Sequence, residues 1–203
     1  MSEELVDRKQ EILDAALEEF VRKGSERARM QSIADQVGVT KAMIHYYFDT
    51  KEKLFNRVYS EAGKMLLGGL MNILESEQDL FQKIDSFIRQ ALDRFHSRPE
   101  LTAFVVNELN QNPEKLGKLM WKHLDFDRAI FDNQLKAAAS NYEIAPVSSQ
   151  EVLANIFSLC LFPCSGRAFM ERLIQIDDPQ QYNEFLRRRS GTVSDTIMNW
   201  LAS

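Results

Sequence analysis

The sequence is poor in the residues and patterns that mark several large classes of protein. Its 203 residues include only two cysteines, Cys160 and Cys164, which are too few for a disulfide framework, so we expect free thiols in a reducing compartment. No stretch reaches the roughly 18 consecutive apolar residues of a membrane-spanning helix. The N-terminal residues 1–10 are acidic and polar, unlike a signal peptide. These absences predict a cytoplasmic protein without a membrane partner.

Motifs of catalysis and of cofactor binding are also missing. The sequence has three histidines, and it lacks a phosphate-binding loop, a His-Glu-x-x-His pair, a Gly-x-Ser-x-Gly elbow and a cofactor fingerprint. We therefore expect neither an enzyme nor a bound cofactor. Cys160 and Cys164 have a usable metal-ligand spacing, but Pro163 between them disturbs a shared helix face. We predict no metal site and keep metal or thiol sensing as the alternative.

Charge is distributed unevenly along the chain. The net charge is −5, yet residues 22–57 contain eight Lys or Arg and four acidic residues, a local excess of +4. Salt screens charges that are more than about 10 Å apart, so this basic segment can meet phosphate although the remaining chain is acidic. An ordinary solvated face would have the same composition. Charge alone therefore leaves nucleic-acid binding open.

Apolar residues recur at helical spacing along the whole chain, and no segment alternates convincingly as a strand would. The pattern predicts an all-α fold of about nine helices. We expect a small N-terminal unit at residues 1–50, a linker helix at about 51–74, and a larger C-terminal helical bundle at 75–203.

Individual helix limits follow from the same pattern. The first helix is predicted to stop at Gly24. One long helix is predicted at about 114–140, and another at about 148–173, where Pro163 should cause a kink or an interruption.

Residues 33–55, IADQVGVTKAMIHYYFDTKEKLF, have the spacing of two helices joined by a tight turn. Ala34 is small enough for the helices to cross closely, and Gly38 can adopt the left-handed conformation that ends the first of them. Ile44 anchors the second helix in the core, and Thr40 is a good N-cap for it. The predicted outward-facing residues of this second helix are Lys41, Ala42, Met43 and His45.

A projecting helix of this kind fits the major groove of duplex DNA, which admits one α-helix. Tyr46, Tyr47 and Lys51 follow, where hydroxyl groups, an ammonium group and free backbone N–H groups can hold phosphate. The alternative is structural. Helical hairpins of this type also occur in proteins that bind no DNA, and Tyr47 and Phe48 could be core aromatics.

The order of these residues closely resembles the DNA-binding domain of the TetR family of bacterial transcriptional regulators. The resemblance covers about residues 8–60. Its elements are Ile33-Ala34, Gly38-Val39, Thr40-Lys41, Tyr46-Tyr47-Phe48 and Lys51-Glu52-Lys53-Leu54.

The sequence departs from that family's pattern at three places. The family often has a tyrosine where His45 stands and a glycine where Ala42 stands, which affects base preference. Its second helix usually opens with Thr or Ser, whereas this chain has Ala28, Arg29 and Met30, so the usual hydroxyl cap is expected to be absent. Arg29 and Gln31 at this helix start join the predicted DNA contacts.

The resemblance implies a helix-turn-helix DNA-binding domain at residues 1–50 and a C-terminal ligand-binding and dimerisation domain at 75–203. It also implies a homodimeric repressor that leaves a palindromic operator in double-stranded DNA when a small molecule binds. The expected ligand is apolar or aromatic, because the C-terminal part is rich in Phe and Met. The alternative is a helical small-molecule or protein-binding module without DNA-binding activity.

Candidate residues in the C-terminal part are less specific, since any one of them is more often a core residue. The predicted pocket residues are Phe87, Phe104, Met120, Trp121, His123, Phe126, Phe157 and Phe162. The last two predicted helices, about 148–173 and 179–201, resemble by position the dimer-forming pair of the family. Their predicted interface residues are Phe157, Phe185, Val193, Ile197 and Trp200.

Overall fold

The computed structural model describes residues 2–141 and 143–203. In these residues it contains twelve helices and no strand, which confirms the all-α prediction. The helices are α1 (Ser2–Arg27), α2 (Met30–Val37), α3 (Lys41–Phe48), α4 (Lys51–Leu67), α5 (Asn72–Glu75), α6 (Leu80–Ser97), α7 (Pro99–Gln111), α8 (Pro113–Trp121), α9 (Arg128–Ser140), α10 (Ser149–Ser165), α11 (Arg167–Ile174) and α12 (Pro179–Leu201).

Several helices begin where a side chain accepts from the first free backbone N–H groups. Asp79 caps α6 by accepting from the N–H of Phe81 at 3.0 Å. Ser148 and Glu151 form the predicted capping box of α10. Asp178 caps α12, whose first turn contains a proline.

The count exceeds nine because three of the predicted helices are each divided in two. The linker helix expected at 51–74 ends at Leu67, and the short α5 follows. The long helix expected at 114–140 is replaced by α8 and α9. The break lies before Asp127, whose carboxylate accepts from the N–H of Ala129 at 2.9 Å and starts a new helix.

The helix expected at 148–173 also divides, but after the position that was predicted. Pro163 lies within α10, and the bend of 87° comes where α11 begins, after Gly166. The Phe162 ring lies so close to Gly166 that an added Cβ atom would come within 2.9 Å of it. In the part of the chain that the structure describes, no single helix is long and apolar enough to cross a membrane, and this bent pair meets only the length and composition criteria.

The chain forms two compact units. The first contains residues 1–65 and 104–122, where α1 packs on α2 and α2 packs on α3. Its fully buried residues include Ile12, Ala16, Phe20, Ile33, Ala34, Ile44, Leu54 and Tyr59.

The second unit contains residues 66–103 and 123–203. Its central helix is α6, which packs against α5, α9, α10 and α12. Apolar residues at helical spacing on α6 supply most of this core, and the fully buried ones are Ile84, Phe87, Ile88, Ala91 and Phe95. The functional boundaries at residues 50 and 74 stay predictions, because compactness does not test which part binds DNA.

Candidate nucleic-acid interface

The turn between α2 and α3 has the predicted geometry. Gly38 has φ 70° and ψ 34°, the left-handed conformation that glycine adopts without a steric penalty. The N–H of Val39 donates to the carbonyl oxygen of Ala34 at 3.0 Å, which closes the end of α2. Thr40 then caps α3 by accepting from the N–H of Met43 at 3.2 Å. The predicted roles of Gly38 and Thr40 are confirmed.

Helix α3 is held on one side and exposed on the other. Ile44 is fully buried and Phe48 is nearly so, which fixes the helix against its unit. Tyr47 is half-buried and contacts Phe48 with 6.4 Å between ring centroids. The exposed residues of α3 are Lys41, Ala42, Met43, His45 and Tyr46.

His45 has a defined ring orientation. Its Nδ1 atom lies 2.7 Å from the carbonyl oxygen of Asp49, and because a carbonyl oxygen only accepts, Nδ1 carries the hydrogen. Asp49 has φ 65°, which is outside the range of a right-handed helix, so α3 ends at Phe48. The remaining ring nitrogen, Nε2, is therefore the group that His45 presents as an acceptor when it is neutral.

The start of α4 lies directly behind α3. Thr50 caps α4 by accepting from the N–H of Lys53 at 3.1 Å. Asp49 pairs with the Lys53 ammonium at 2.6 Å, which lowers the pKa of Asp49 and raises that of Lys53. The half-buried Lys51 donates from Nζ to the carbonyl oxygen of Glu26 at 2.9 Å.

The start of α2 depends on a residue that sequence reasoning missed. The Arg29 side chain does not cap the helix, and the N–H of Arg29 donates to Oε1 of Glu19 at 3.3 Å. Glu19 on α1 is 1% exposed and also accepts from Arg22 at 2.5 Å and Lys23 at 2.8 Å. The one sequence signal for this role of Glu19 was the presence of Arg22 and Lys23 three and four positions after it, which is the spacing of ion pairs on one helix.

The ionisation of Glu19 reflects these contacts. Burial by itself raises the pKa of a carboxyl group, but hydrogen bonds from Lys23, from Arg22 and from the Arg29 backbone outweigh it and lower the pKa of Glu19 to about 2. No side chain caps α2, as the departure from the family pattern predicted. The ionised Glu19, which the sequence did not predict, holds the backbone N–H of Arg29 just before the helix.

All ten predicted DNA-contacting residues lie on α2, α3, the turn and the two flanking helix starts of the first unit. Arg29, Gln31 and Thr40 are exposed with the outer face of α3, and Gln31 donates to Asp35 at 2.7 Å. Tyr47 and Lys51 are half-buried. The structure thus gathers these residues locally, while their contact with DNA stays a prediction.

The predicted pocket residues are not gathered in the same way. Phe87 and Phe157 pack together in the second unit, with 5.9 Å between ring centroids. In the first unit, Phe104 packs against Tyr59. Met120 is buried in the first unit, and the neighbouring Trp121 is 59% exposed.

The other predicted pocket residues lie in the second unit at its surface or partly buried. Phe162 is 48% exposed and packs on Phe169, Phe126 lies under the Arg128 guanidinium, and His123 is half-buried. Because the set is divided between units and surfaces, its role in one pocket stays a prediction.

A groove in the second unit lies between α6, α12 and the start of α7. Its volume is about 660 Å³, and its lining is mostly polar. None of the predicted pocket residues lines it, and hydrophobic patterning gave no signal for it. The lining residues are Arg89, Leu92, Asp93, His96, Ser97, Pro99, Glu100, Asn183, Leu186, Arg187 and Ser190.

His96 and the two cysteines lie together in the second unit. The ring nitrogens of His96 are 3.0 Å from the carbonyl oxygen of Leu186 and 3.3 Å from that of Cys160, and burial lowers the pKa of His96. Burial raises the pKa of both Cys160 and Cys164 to about 12, so neither is a reactive thiolate. Among the described residues, no group of three or more His, Cys, Asp or Glu is placed to hold a metal.

The predicted dimer residues differ in exposure. Val193 and Ile197 are each 1% exposed within their own chain, which leaves them almost no surface for a partner. Phe157, Phe185 and Trp200 are half-buried. The interface prediction therefore depends on these three residues.

With Gly38 in the left-handed conformation, Ile44 buried and the opposite side of α3 exposed, α2 and α3 form a helix-turn-helix, a motif that many transcriptional regulators use to bind DNA. Comparison with known proteins shows that residues 12–58 match the family model described as bacterial regulatory proteins, tetR family. The solved structures similar to this chain include a TetR family transcriptional regulator, PfmR from Thermus thermophilus, with a TM-score of 0.59 at 20% identity, covering 91% of this chain and 97% of that one.

Relatives extend the similarity beyond the matched segment. The nicotine-responsive transcriptional repressor HdnoR of Paenarthrobacter nicotinovorans is 28% identical, over 82% of this chain and 86% of the relative. The probable transcriptional regulator YttP of Bacillus subtilis is 23% identical, over 87% and 86%. A crystal structure of FadR from Bacillus subtilis in complex with stearoyl-CoA has a TM-score of 0.65 at 20% identity, covering 94% of this chain and 98% of that one. At this identity the structural likeness shows the fold alone.

Proposed function

We propose that the protein is a dimeric repressor that binds a palindromic operator in double-stranded DNA and leaves it when a small molecule binds. One observation carries the proposal: α3 exposes Lys41, Ala42, Met43 and His45 on one side and is anchored by the buried Ile44 on the other. A helix that is anchored by buried residues on one side and exposed on the other can enter a major groove without rearrangement of the unit to which it belongs.

In this proposal, contacts divide between bases and phosphates. His45 and Met43 lie on the exposed side of α3 and would meet base edges, while Lys41 and Lys51 would meet phosphate. Two copies related by a two-fold axis would place two α3 helices in successive major grooves, with centres about 34 Å apart. A palindromic operator follows from that symmetry.

The proposed dimer uses α10 and α12. Phe157 on α10 and Phe185 and Trp200 on α12 keep part of their apolar surface exposed in the single chain. Burying such surface favours association by about 25 cal/mol per Å² before the entropic cost of binding.

The ligand is proposed to be small and apolar or aromatic. HdnoR is named for its response to nicotine, and FadR was crystallised with stearoyl-CoA, so regulators of similar sequence or fold meet ligands with large apolar parts. A ligand would release DNA only to the extent that it binds the released form more tightly. We propose that α4 transmits the effect of ligand binding to the DNA-binding part, because this helix runs from residue 51 in the first unit to residue 67 in the second.

The remaining assignments follow from DNA binding. We place the DNA-binding function in residues 1–50, the linker helix in α4, and ligand binding and dimerisation in the C-terminal part. The protein would act in the cytoplasm, where bacterial DNA lies, and would need no cofactor and no catalytic activity.

Selection of duplexes from a random-sequence pool by the purified protein tests this function. We expect one palindromic sequence to be enriched, salt-dependent binding, and a particle mass of two chains. No retention of duplex DNA at low salt, or a monomeric mass, would contradict the proposal. Repeating the selection with bacterial cell extract, and with extract passed through a small-pore filter, tests whether a small molecule causes release.

A further inference from the structure

The connection between α1 and α2 is held by two carboxylates that come from different parts of the chain. Gly24, with φ 74° and ψ 168°, interrupts α1 three residues before its end. The N–H of Ser25 then donates to Oε1 of Glu108 at 2.8 Å, and the N–H of Arg29 donates to Glu19. Each carboxylate thus fixes one end of the short segment that leads into α2.

The two carboxylates differ in how fully they are compensated. Glu19 receives two cationic side chains as well as the backbone N–H. Glu108 is 3% exposed, and its Oε2 atom has no hydrogen-bond partner among the described residues. The buried Tyr59 does not supply one, because its hydroxyl donates to the carbonyl oxygen of Val105 at 3.0 Å.

A buried carboxylate with one unpaired oxygen costs stability, so its position needs a reason. Glu108 lies on α7, 83 positions after Ser25 in sequence. Helix α7 begins at Pro99, among the residues of the second unit, and reaches Glu108 within the first. Through this hydrogen bond, α7 contacts the segment that leads into the helix-turn-helix.

We infer that Glu108 is a positioning residue for DNA recognition, which acts by holding the Ser25 backbone and so setting where α2 and α3 begin. The inference rests on the proposed DNA-binding function. Glycine suits position 24 because its φ of 74° is a backbone conformation that other residues rarely adopt, and the next N–H, that of Ser25, is the one that donates to Glu108. When the contact is absent, the entry segment loses one of the side-chain hydrogen bonds that hold its backbone, and fewer molecules have α3 in the binding position.

The test compares Glu108→Ala and Glu108→Gln with the wild type and with Glu114→Ala, an exposed carboxylate of the same unit. The probes are a duplex selected by the wild-type protein and a random duplex of equal length. We expect Glu108→Ala to weaken binding of the selected duplex about tenfold, since one charged hydrogen bond is lost, and to change binding of the random duplex much less. Glu108→Gln should bind like the wild type, because its amide oxygen still accepts from Ser25.

Hydrogen exchange separates positioning from general stability. Backbone exchange in residues 24–29 should accelerate in Glu108→Ala and stay at the wild-type rate in Glu108→Gln and Glu114→Ala. A role in global stability alone would lower the melting temperature and leave the selected-to-random affinity ratio of the folded protein unchanged.

A second variant covers the case in which Glu108→Ala does not fold. Ser25→Pro removes the donor and keeps the carboxylate, and proline is tolerated in a first helical turn such as the one after Gly24. It should reduce the selected-to-random ratio as Glu108→Ala does. A wild-type ratio in a folded Glu108→Ala or Ser25→Pro protein, or an equal loss in Glu108→Gln, overturns the inference. If the wild-type protein selects no sequence, the proposed function fails instead.

Discussion

The ammonium group of Lys51 donates to the backbone carbonyl oxygen of Glu26 across 2.9 Å. The bond joins the first residue of α4 to the segment just before α2, so the two ends of the helix-turn-helix are held together. An ammonium group has three donors, and one such bond leaves two for a phosphate oxygen. Lys51 is therefore placed to fix the fold of the motif and to meet the DNA backbone with the same group.

Lys51→Ala should weaken binding to every duplex, whether selected or random. The physical reason is the loss of a phosphate contact that carries no sequence information. The slope of log affinity against log salt concentration should fall by about one. Filter-binding titrations over a range of salt measure both effects. Lys136→Ala, an exposed lysine on α9, is the matched control and should change neither; loss of affinity for the selected duplex alone would refute the phosphate role.

His45→Ala should change which sequences are selected, while binding to random duplex stays close to wild type. With Nδ1 donating to Asp49, a neutral His45 presents Nε2 as an acceptor, which suits the amino groups of adenine or cytosine in the major groove. Sequencing of pools selected in parallel by the wild type and the variant checks this. An identical consensus from both proteins would remove His45 from the base-reading set.

Glu19→Gln should lower the free energy of unfolding at neutral pH. Most of this difference between wild type and variant should disappear in acid. The pKa of Glu19 falls from 4.5 to about 2 on folding, so the ionised form stabilises the folded state above about pH 4.5. This stabilisation is lost as the pH falls from about 4.5 to about 2, and it corresponds to about 3 kcal/mol.

Urea unfolding of wild type and Glu19→Gln at a series of acidic pH values measures the effect. The two free energies of unfolding should converge as the pH falls through this window. Glu143→Gln, an exposed carboxyl group, should stay parallel to the wild type throughout. A gap between wild type and Glu19→Gln that does not depend on pH would show that the carboxylate acts through shape and not through charge.

Gly38→Ala should reduce the free energy of unfolding by about 1–2 kcal/mol, because the left-handed backbone at φ 70° places a Cβ atom unfavourably. Gly191→Ala is the control, since Gly191 lies inside α12 with open space around it and alanine is the better helix former. Thermal unfolding should therefore show opposite signs for the two substitutions. Equal effects would mean that the turn does not require glycine.

Several predictions depended on local sequence and were correct for that reason. Gly38 and Thr40 act on backbone groups within four positions of themselves, so their spacing specified the turn and the cap, and the position of Ile44 on α3 specified the buried side. Pro163 shows the limit of such reasoning. It was expected to kink or interrupt its helix, yet the bend comes after Gly166, where the Phe162 ring leaves no space for a Cβ atom.

Functional assignment in the second unit was harder to predict, because an apolar side chain has the same sequence signal in a core, a pocket or an interface. Val193 and Ile197 were expected at a dimer interface, and they are buried within a single chain. The polar groove beside His96 combines residues of α6 and α12, about 90 positions apart in sequence. No pattern on either helix shows that the two faces meet.

The sequence by itself determined the helical fold, the tight turn and the exposed face of α3, because these features depend on the backbone preferences and spacing of neighbouring residues. Only the tertiary structure decided how that motif is held. Glu108 reaches Ser25 from 83 positions away, and the N–H of Arg29, just before α2, donates to Glu19 on another helix. Such contacts arise from the packing of distant segments, which brings a buried charge to its partner without leaving a local pattern.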